Sequence, residues 1–174
     1  MNLRTYNVLF LCTGNSARSI LGEAILNHAG NRRFRGFSAG SHPKGEVHPL
    51  TLKLLRQLDV PTERLRSKSW DEFAQASAPP MDFIFTVCDQ AAGEMCPVWP
   101  GRPVTAHWGL ADPAAVEGDE VTRMQAFRDA FRVLERHISL FVNLRLDGLD
   151  PKGLKSFLDD IDSYDIDVRG GQRR

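Results

Sequence analysis

Four short apolar runs alternate along this chain with stretches of helical spacing. Tyr6 to Leu11 is a continuous apolar run ending at turn-forming residues, the pattern of a strand buried on both faces. Ser19 to Ala29 places Ile20, Ala24, Ile25 and Ala29 at helical intervals, and Phe34 to Ala39 suits a second strand. A turn-rich segment, Gly40 to Gly45, leads to a helix predicted from about Pro49 to Leu58, with Pro49 in its first turn. Phe83 to Val87 and Val104 to Trp108 read as the third and fourth strands. Asp119 to Leu146 predicts one long amphipathic helix through Val121, Phe127, Phe131, Leu134, Ile138 and Phe141. Strands alternating with helices predict an α/β domain, a parallel sheet covered by helices on both faces and joined by right-handed crossovers.

Beyond Leu146 the composition turns to aspartate, from Asp147 through Asp159, Asp160, Asp162, Asp165 and Asp167. The expected organisation is a catalytic domain over 1–146 and an acidic extension over 147–174. That extension either docks loosely, through a short amphipathic turn or helix of Leu154, Phe157, Leu158 and Ile161, or stays disordered. With 174 residues and 42% hydrophobic content, the chain suffices for one sizeable core. Its formal net charge of zero gives no electrostatic footprint for nucleic acid or an anionic membrane, so any anion must be captured locally. No run approaches the roughly 18 apolar residues of a membrane span, and the Met1-Asn2-Leu3-Arg4 start lacks a signal peptide's apolar segment. A soluble cytoplasmic protein is expected.

The turn after the first strand reads Cys12-Thr13-Gly14-Asn15-Ser16-Ala17-Arg18-Ser19. Amides of such a loop, with the positive end of the following helix, favour a tetrahedral anion and also a thiolate. Arg18 is able to grip two oxygens of that anion. Cys12 is thus the candidate nucleophile, and Thr13, Gly14, Asn15, Ser16, Ala17, Arg18 and Ser19 form the candidate oxyanion cradle. Asn15 suits bracing the loop through side-chain to main-chain hydrogen bonds, and Ser19 suits donation to the Cys12 sulfur. The plainer alternative is a buried core thiol beside a solvated arginine, but a purely structural turn has no need of Thr13, Gly14, Asn15 and Ser16 together.

In a doubly wound sheet ligands bind at the carboxyl ends of the strands. Cys88 ends the third strand as Cys12 ends the first, so the two are expected on one edge. Cys96 lies eight residues further on. On a straight helix Cys88 and Cys96 would stand roughly 12 Å apart, whereas a disulfide needs Cα atoms within about 7 Å, so a bond between them requires the segment to bend or unwind. Gly93 eases that rearrangement and Pro97 limits continuation of a helix. In a reducing compartment an odd number of thiols points to nucleophilic or redox chemistry more readily than to structural disulfides. The alternative is that Cys88 and Cys96 only fill space. The spacing is not that of a structural zinc site and no nearby histidine completes one, so no metal is expected.

His107-Trp108-Gly109-Leu110-Ala111-Asp112-Pro113 follows the fourth strand and returns to the same edge. Asp112, held by stiff Pro113, suits a general acid that protonates a leaving oxygen; a turn or helix-leading aspartate is the alternative. Trp108 reads as core and His107 as a satisfied loop histidine, while Trp70 and Trp99 carry no assignable chemistry.

These motifs, from Cys12 to Ser19, with Glu23, Cys88, Cys96-Pro97, His107-Trp108-Gly109 and Asp112-Pro113-Ala114, resemble those of the low-molecular-weight protein tyrosine phosphatase family. Within it they resemble the thioredoxin-coupled arsenate reductases that use three cysteines. The resemblance runs from Asn7 to about Leu146. It implies a central four-stranded parallel sheet flanked by helices, attack by Cys12 on the anion, binding by Arg18 and the loop amides, and assistance from Asp112. It further implies that Cys88 attacks the Cys12 sulfur to expel arsenite and that Cys96 then attacks Cys88. The Cys88 to Cys96 disulfide would pass to thioredoxin, although glutaredoxin with glutathione is able to resolve a Cys12 to Cys88 bridge. No cofactor enters.

Three departures stand out. Many relatives carry a second cysteine immediately before the cradle arginine, where this chain has Ala17. Some reductases hold potassium through an asparagine, a glutamate, a serine and an aspartate; Asn15, Glu23 and Ser38 match, but Ser69 takes the last place. That argues against a potassium site, with neighbouring Lys68 an alternative source of positive charge. Where phosphatases place tyrosines after the aspartate-proline pair, Ala114 and Ala115 stand. The expected activity is reduction of arsenate to arsenite. The alternative is a phosphatase that hydrolyses phosphomonoesters through a Cys12 phosphoenzyme, and a redox-responsive binding protein is a third class.

Overall fold

The computed structural model of the protein describes residues 4–29, 32–93, 97 and 99–170; of residues 90, 92 and 164–170 only the backbone is described. Four parallel strands, β1 (Tyr6–Leu11), β2 (Phe34–Ala39), β3 (Phe83–Thr86) and β4 (Val104–His107), form one sheet in the order β2-β1-β3-β4. β1 runs Tyr6 against Phe34 through Leu11 against Ala39 on one side and Val8 against Phe83 through Leu11 against Thr86 on the other. Successive side chains of a strand point to opposite faces. Val8 and Phe10 therefore enter one apolar cluster and Leu9 and Leu11 the other, which is why Val8 to Leu11 reads as an unbroken apolar run.

On the Val8 and Phe10 face lie α1 (Arg18–Ala29), α5 (Glu120–Val142) and α6 (Pro151–Gly170). α1 is buried on every side from Ser19 to Leu26. A Cβ at Gly22 would meet the Phe10 ring at 2.7 Å, so glycine there lets the helix lie directly on β1. α2 (Pro49–Gln57) buries Leu50, Leu54 and Leu55, the first two in a cluster with Met124 and Phe127 of α5. The opposite face has a thinner cover, in which short α3 (Asp71–Ala74) contributes Phe73 beside Trp70 and Trp99. Trp108 is fully buried, stacked on Phe85 with ring centroids 3.8 Å apart.

The predicted third and fourth strands each end one residue early. Val87 and Trp108 leave the ladder, yet their amides still bond to Leu11 and Thr86 carbonyls at 2.9 and 2.8 Å. α5 is shorter than predicted because Asn143 ends it, its side chain donating to the Ser139 carbonyl at 2.7 Å. The buried stripe of α5 begins at Met124; Val121 is 80% exposed, in a first turn that overhangs the core. The acidic extension forms a helix longer than the short turn or helix expected, with Leu154, Leu158 and Ile161 joining the larger cluster. The short α4 (Asp89–Gly93) and a 3-10 turn at Pro113–Ala115 lead on from the edge where strands β3 and β4 end. Among the described residues no helix is long and apolar enough to cross a membrane.

Candidate active site

Cys12 leaves β1 with its amide bonded to the Ala39 carbonyl at 3.2 Å, and the chain turns through the loop into α1. The loop is held from behind by its carbonyls. His42 and Lys44 amides donate to Thr13 and Gly14 carbonyls at 2.9 and 3.0 Å, and the His48 amide and Thr51 hydroxyl both reach the Ser16 carbonyl at 3.0 Å. With these carbonyls satisfied from outside, loop amides turn toward the sulfurs: that of Gly14 bonds to Cys12 and that of Thr13 to Cys88. A Cβ at Gly40 would overlap the Thr13 carbonyl and stand 2.7 Å from that of Cys12, so only glycine lets β2 end this close. Asn15, fully buried at φ 43°, accepts the Lys68 amide at 2.9 Å and donates to Ser19 Oγ at 2.8 Å. Asn15 thus braces the loop as the sequence suggests, and the Ser19 hydroxyl is engaged by Asn15.

The loop encloses a cavity of about 200 Å³ lined by Cys12, Arg18 and Asp112. Arg18 Nη1 donates to the Leu110 carbonyl at 3.0 Å, and Nη2 lies 3.7 Å from Asp112 Oδ2. Asp112 also accepts the Ala114 amide at 3.0 Å, capping the 3-10 turn. His42 and Lys44 reach the same cavity. Sequence reasoning missed both, although the turn-rich segment carrying them leaves the carboxyl end of β2, the edge where ligands bind.

Cys12 and Cys88 lie side by side at the ends of β1 and β3, both buried, with their side chains hydrogen-bonded. That bond pulls the Cys88 thiol down to about 5; burial opposes it, while the Ala91 amide and the Thr13 hydroxyl, the latter 3.6 Å away, add to it. The same bond, with burial, pushes Cys12 above its ordinary range, and the nearby Arg18 charge offsets only part of the rise. The two thiols titrate as a coupled pair, so the first proton lost belongs to the pair, and a loop of this kind favours a Cys12 thiolate. Cys96 lies outside the described residues. His107 is indeed satisfied, its Nε2 2.8 Å from Asp89 Oδ1 and its Nδ1 2.8 Å from Thr86 Oγ1.

Glu23 and Ser38 meet under the loop, but the place for a cation beside them is taken. Lys68 Nζ lies 3.7 Å from Glu23 Oε1 and 3.4 Å from Ser38 Oγ. Oxygens that would ligate potassium already receive an ammonium, so the residues present do not fit a bound cation. Among the described residues there is no metal-binding group of histidine, cysteine and carboxylate side chains.

Fold and loop together define an α/β protein with a cysteine in a loop-lined cavity at the carboxyl edge of a parallel sheet. The family model for low molecular weight phosphotyrosine protein phosphatase matches residues 7–149, and the chain belongs to that family. It is 30% identical over 134 residues to an arsenate reductase of Halalkalibacterium halodurans, covering 77% of this chain and 93% of that one. An arsenate reductase of Bacillus subtilis is 30% identical over 121 residues, 70% of this chain and 84% of the relative. Among solved structures, the arsenate reductase of Archaeoglobus fulgidus superposes with a TM-score of 0.62 at 25% identity, over 79% of this chain and 99% of that one. The thioredoxin-dependent arsenate reductase of Corynebacterium glutamicum gives 0.55 at 26% identity, over 81% of this chain but only 65% of its own.

Proposed function

We propose that the protein reduces arsenate to arsenite through a cysteine relay. The observation that carries this reading is the hydrogen-bonded pair of Cys12 and Cys88 inside the cradle, since hydrolysis of a phosphoester needs only the first of them. The relatives named arsenate reductases and the thioredoxin-dependent structural neighbour support it.

Arsenate enters the loop, held by amides of residues 13–19 and by Arg18. The Cys12 proton passes to an oxygen of the bound arsenate, and the sulfur attacks arsenic. An As–S bond forms, and an As–O bond breaks with a proton from Asp112, which lies close to Arg18 in the same cavity. The Cys88 thiolate then attacks Cys12 Sγ. The S–S bond forms, the As–S electron pair leaves with arsenic, and As(V) departs as arsenite while two thiols become a disulfide. Cys96 attacks Cys88, releasing the Cys12 thiolate, and a dithiol such as thioredoxin reduces the Cys88 to Cys96 bond.

A turnover assay with arsenate, thioredoxin, thioredoxin reductase and NADPH tests this. Cys88→Ser abolishes arsenite production and Cys96→Ser uncouples it from thioredoxin, while both variants still hydrolyse para-nitrophenyl phosphate. If the intact protein hydrolyses that ester and makes no arsenite, the phosphatase reading, a Cys12 phosphoenzyme on the same cradle, takes its place.

A further inference from the structure

Lys68 is a charged side chain only 8% exposed, and no step of the relay uses it. Burying an ammonium is costly unless every donor is matched. Here its three donors face the Arg66 carbonyl at 2.8 Å, Ser38 Oγ at 3.4 Å and Glu23 Oε1 at 3.7 Å. Ser38 in turn donates to the same Glu23 oxygen at 2.8 Å.

We infer that the Lys68 ammonium is the resident counter-ion of the anion cradle, positioning Asn15 and the loop from below and making the site independent of any monovalent cation. The inference rests on reading residues 12–19 as an anion cradle and not on the reduction of arsenate.

Three observations carry it. First, local charge closes without a further ion. Lys68 and Arg66 face Glu23 from α1 and Glu72 from α3, with Arg66 bound to Glu72 through both nitrogens at 2.9 and 2.7 Å. Second, each buried partner needs the other. Burial pushes Glu23 up and Lys68 down, and each is pulled back by its partner's charge. Third, the lysine's main chain is built into the loop. Its amide holds Asn15 Oδ1 at 2.9 Å and its carbonyl takes the Gly40 amide at 2.9 Å. Next to it, Ser67 Oγ donates to the Gly14 carbonyl at 3.3 Å. Anchoring the ammonium therefore fixes the main-chain N–H that holds the Asn15 side chain, at a residue whose backbone lies in the left-handed region that asparagine tolerates. Lys68 is a positioning residue, acting on the anion through Asn15.

The test uses para-nitrophenyl phosphate hydrolysis and inhibition by inorganic phosphate, at constant ionic strength. For the intact protein, exchanging choline chloride for potassium chloride leaves KM, the phosphate inhibition constant and the thermal midpoint unchanged. Lys68→Ala weakens phosphate binding by about tenfold or more. Potassium or propylammonium restores at least part of that loss, and choline, too large for the vacated space, does not. Lys68→Met fills the volume without the charge and stays impaired with either ion. The proposal is overturned if potassium raises the thermal midpoint or lowers KM of the intact protein, a measurement that needs no variant. It is also overturned if Lys68→Met binds phosphate as the intact protein does. Failure of the intact protein to bind phosphate at all would instead remove the cradle reading.

Discussion

Arg18 Nη2 and Asp112 Oδ2 stand 3.7 Å apart across the mouth of the cavity that holds Cys12. On the proposed mechanism the group that clamps the anion and the group that protonates it therefore share one field. Removing the Asp112 charge has two opposite effects. Asp112→Asn lowers kcat for para-nitrophenyl phosphate by roughly 10²–10⁴-fold through loss of the acid, yet tightens inhibition by phosphate, because Arg18 loses a competing carboxylate. Steady-state kinetics with phosphate as inhibitor reads both, and weaker phosphate inhibition in the variant would contradict the pairing.

The coupled pair of Cys12 and Cys88 makes a pH prediction. Because the Cys12 hydrogen bond lowers the Cys88 thiol, its alkylation by iodoacetamide rises through a midpoint below the usual thiol range. Cys12→Ala removes the largest cause and moves the midpoint up toward the usual thiol range. Mass spectrometry of the labelled peptide follows the change; an unmoved midpoint would assign the low value to other neighbours.

Gly109 is a packing requirement on the segment that follows Cys88. A Cβ there would stand 2.8 Å from both Asp89 Oδ1 and His107 Nε2, the two atoms that tie α4 to β4. Gly109→Ala is expected to break this tie, speed hydrogen exchange of the α4 amides and quicken alkylation of Cys88. Asp89→Asn should give a smaller change in the same direction. Equal exchange in all three proteins would show that α4 is held by something else.

α6 is a structural member of the domain. The Trp108 indole donates to the Leu158 carbonyl at 2.9 Å, and Leu158 itself is fully buried. Leu158→Ala should cost about 2–5 kcal/mol in urea unfolding followed by tryptophan fluorescence. Phe157→Ala, at a side chain 38% exposed, should cost far less. Similar costs for the two would mean that α6 does not pack as described.

Strands and principal helices were legible because their signals are local. β2 runs from Phe34 to Ala39 as the sequence predicts, and Cys12 and Arg18 bracket the predicted strand-to-helix turn. Val121 was misread because periodicity gives the phase of a stripe but not where the helix overhangs its core. The length of α6 was hidden by its aspartates, which look like a solvated tail until Leu154, Leu158 and Ile161 find the space beside Trp108.

By itself the amino-acid order determined the four strands, the principal helices, the turn from β1 to α1 and the placing of two cysteines at strand ends, since each follows from side-chain period and from turn chemistry within a few residues. Only the tertiary structure decided that Cys12 and Cys88 meet, that His42 and Lys44 enter the cavity, and that Lys68 lies beside Glu23 and Ser38. Those relationships join residues far apart in the chain. Their energies depend on distance and burial, quantities that exist only once the sheet has brought β1, β2 and β3 side by side.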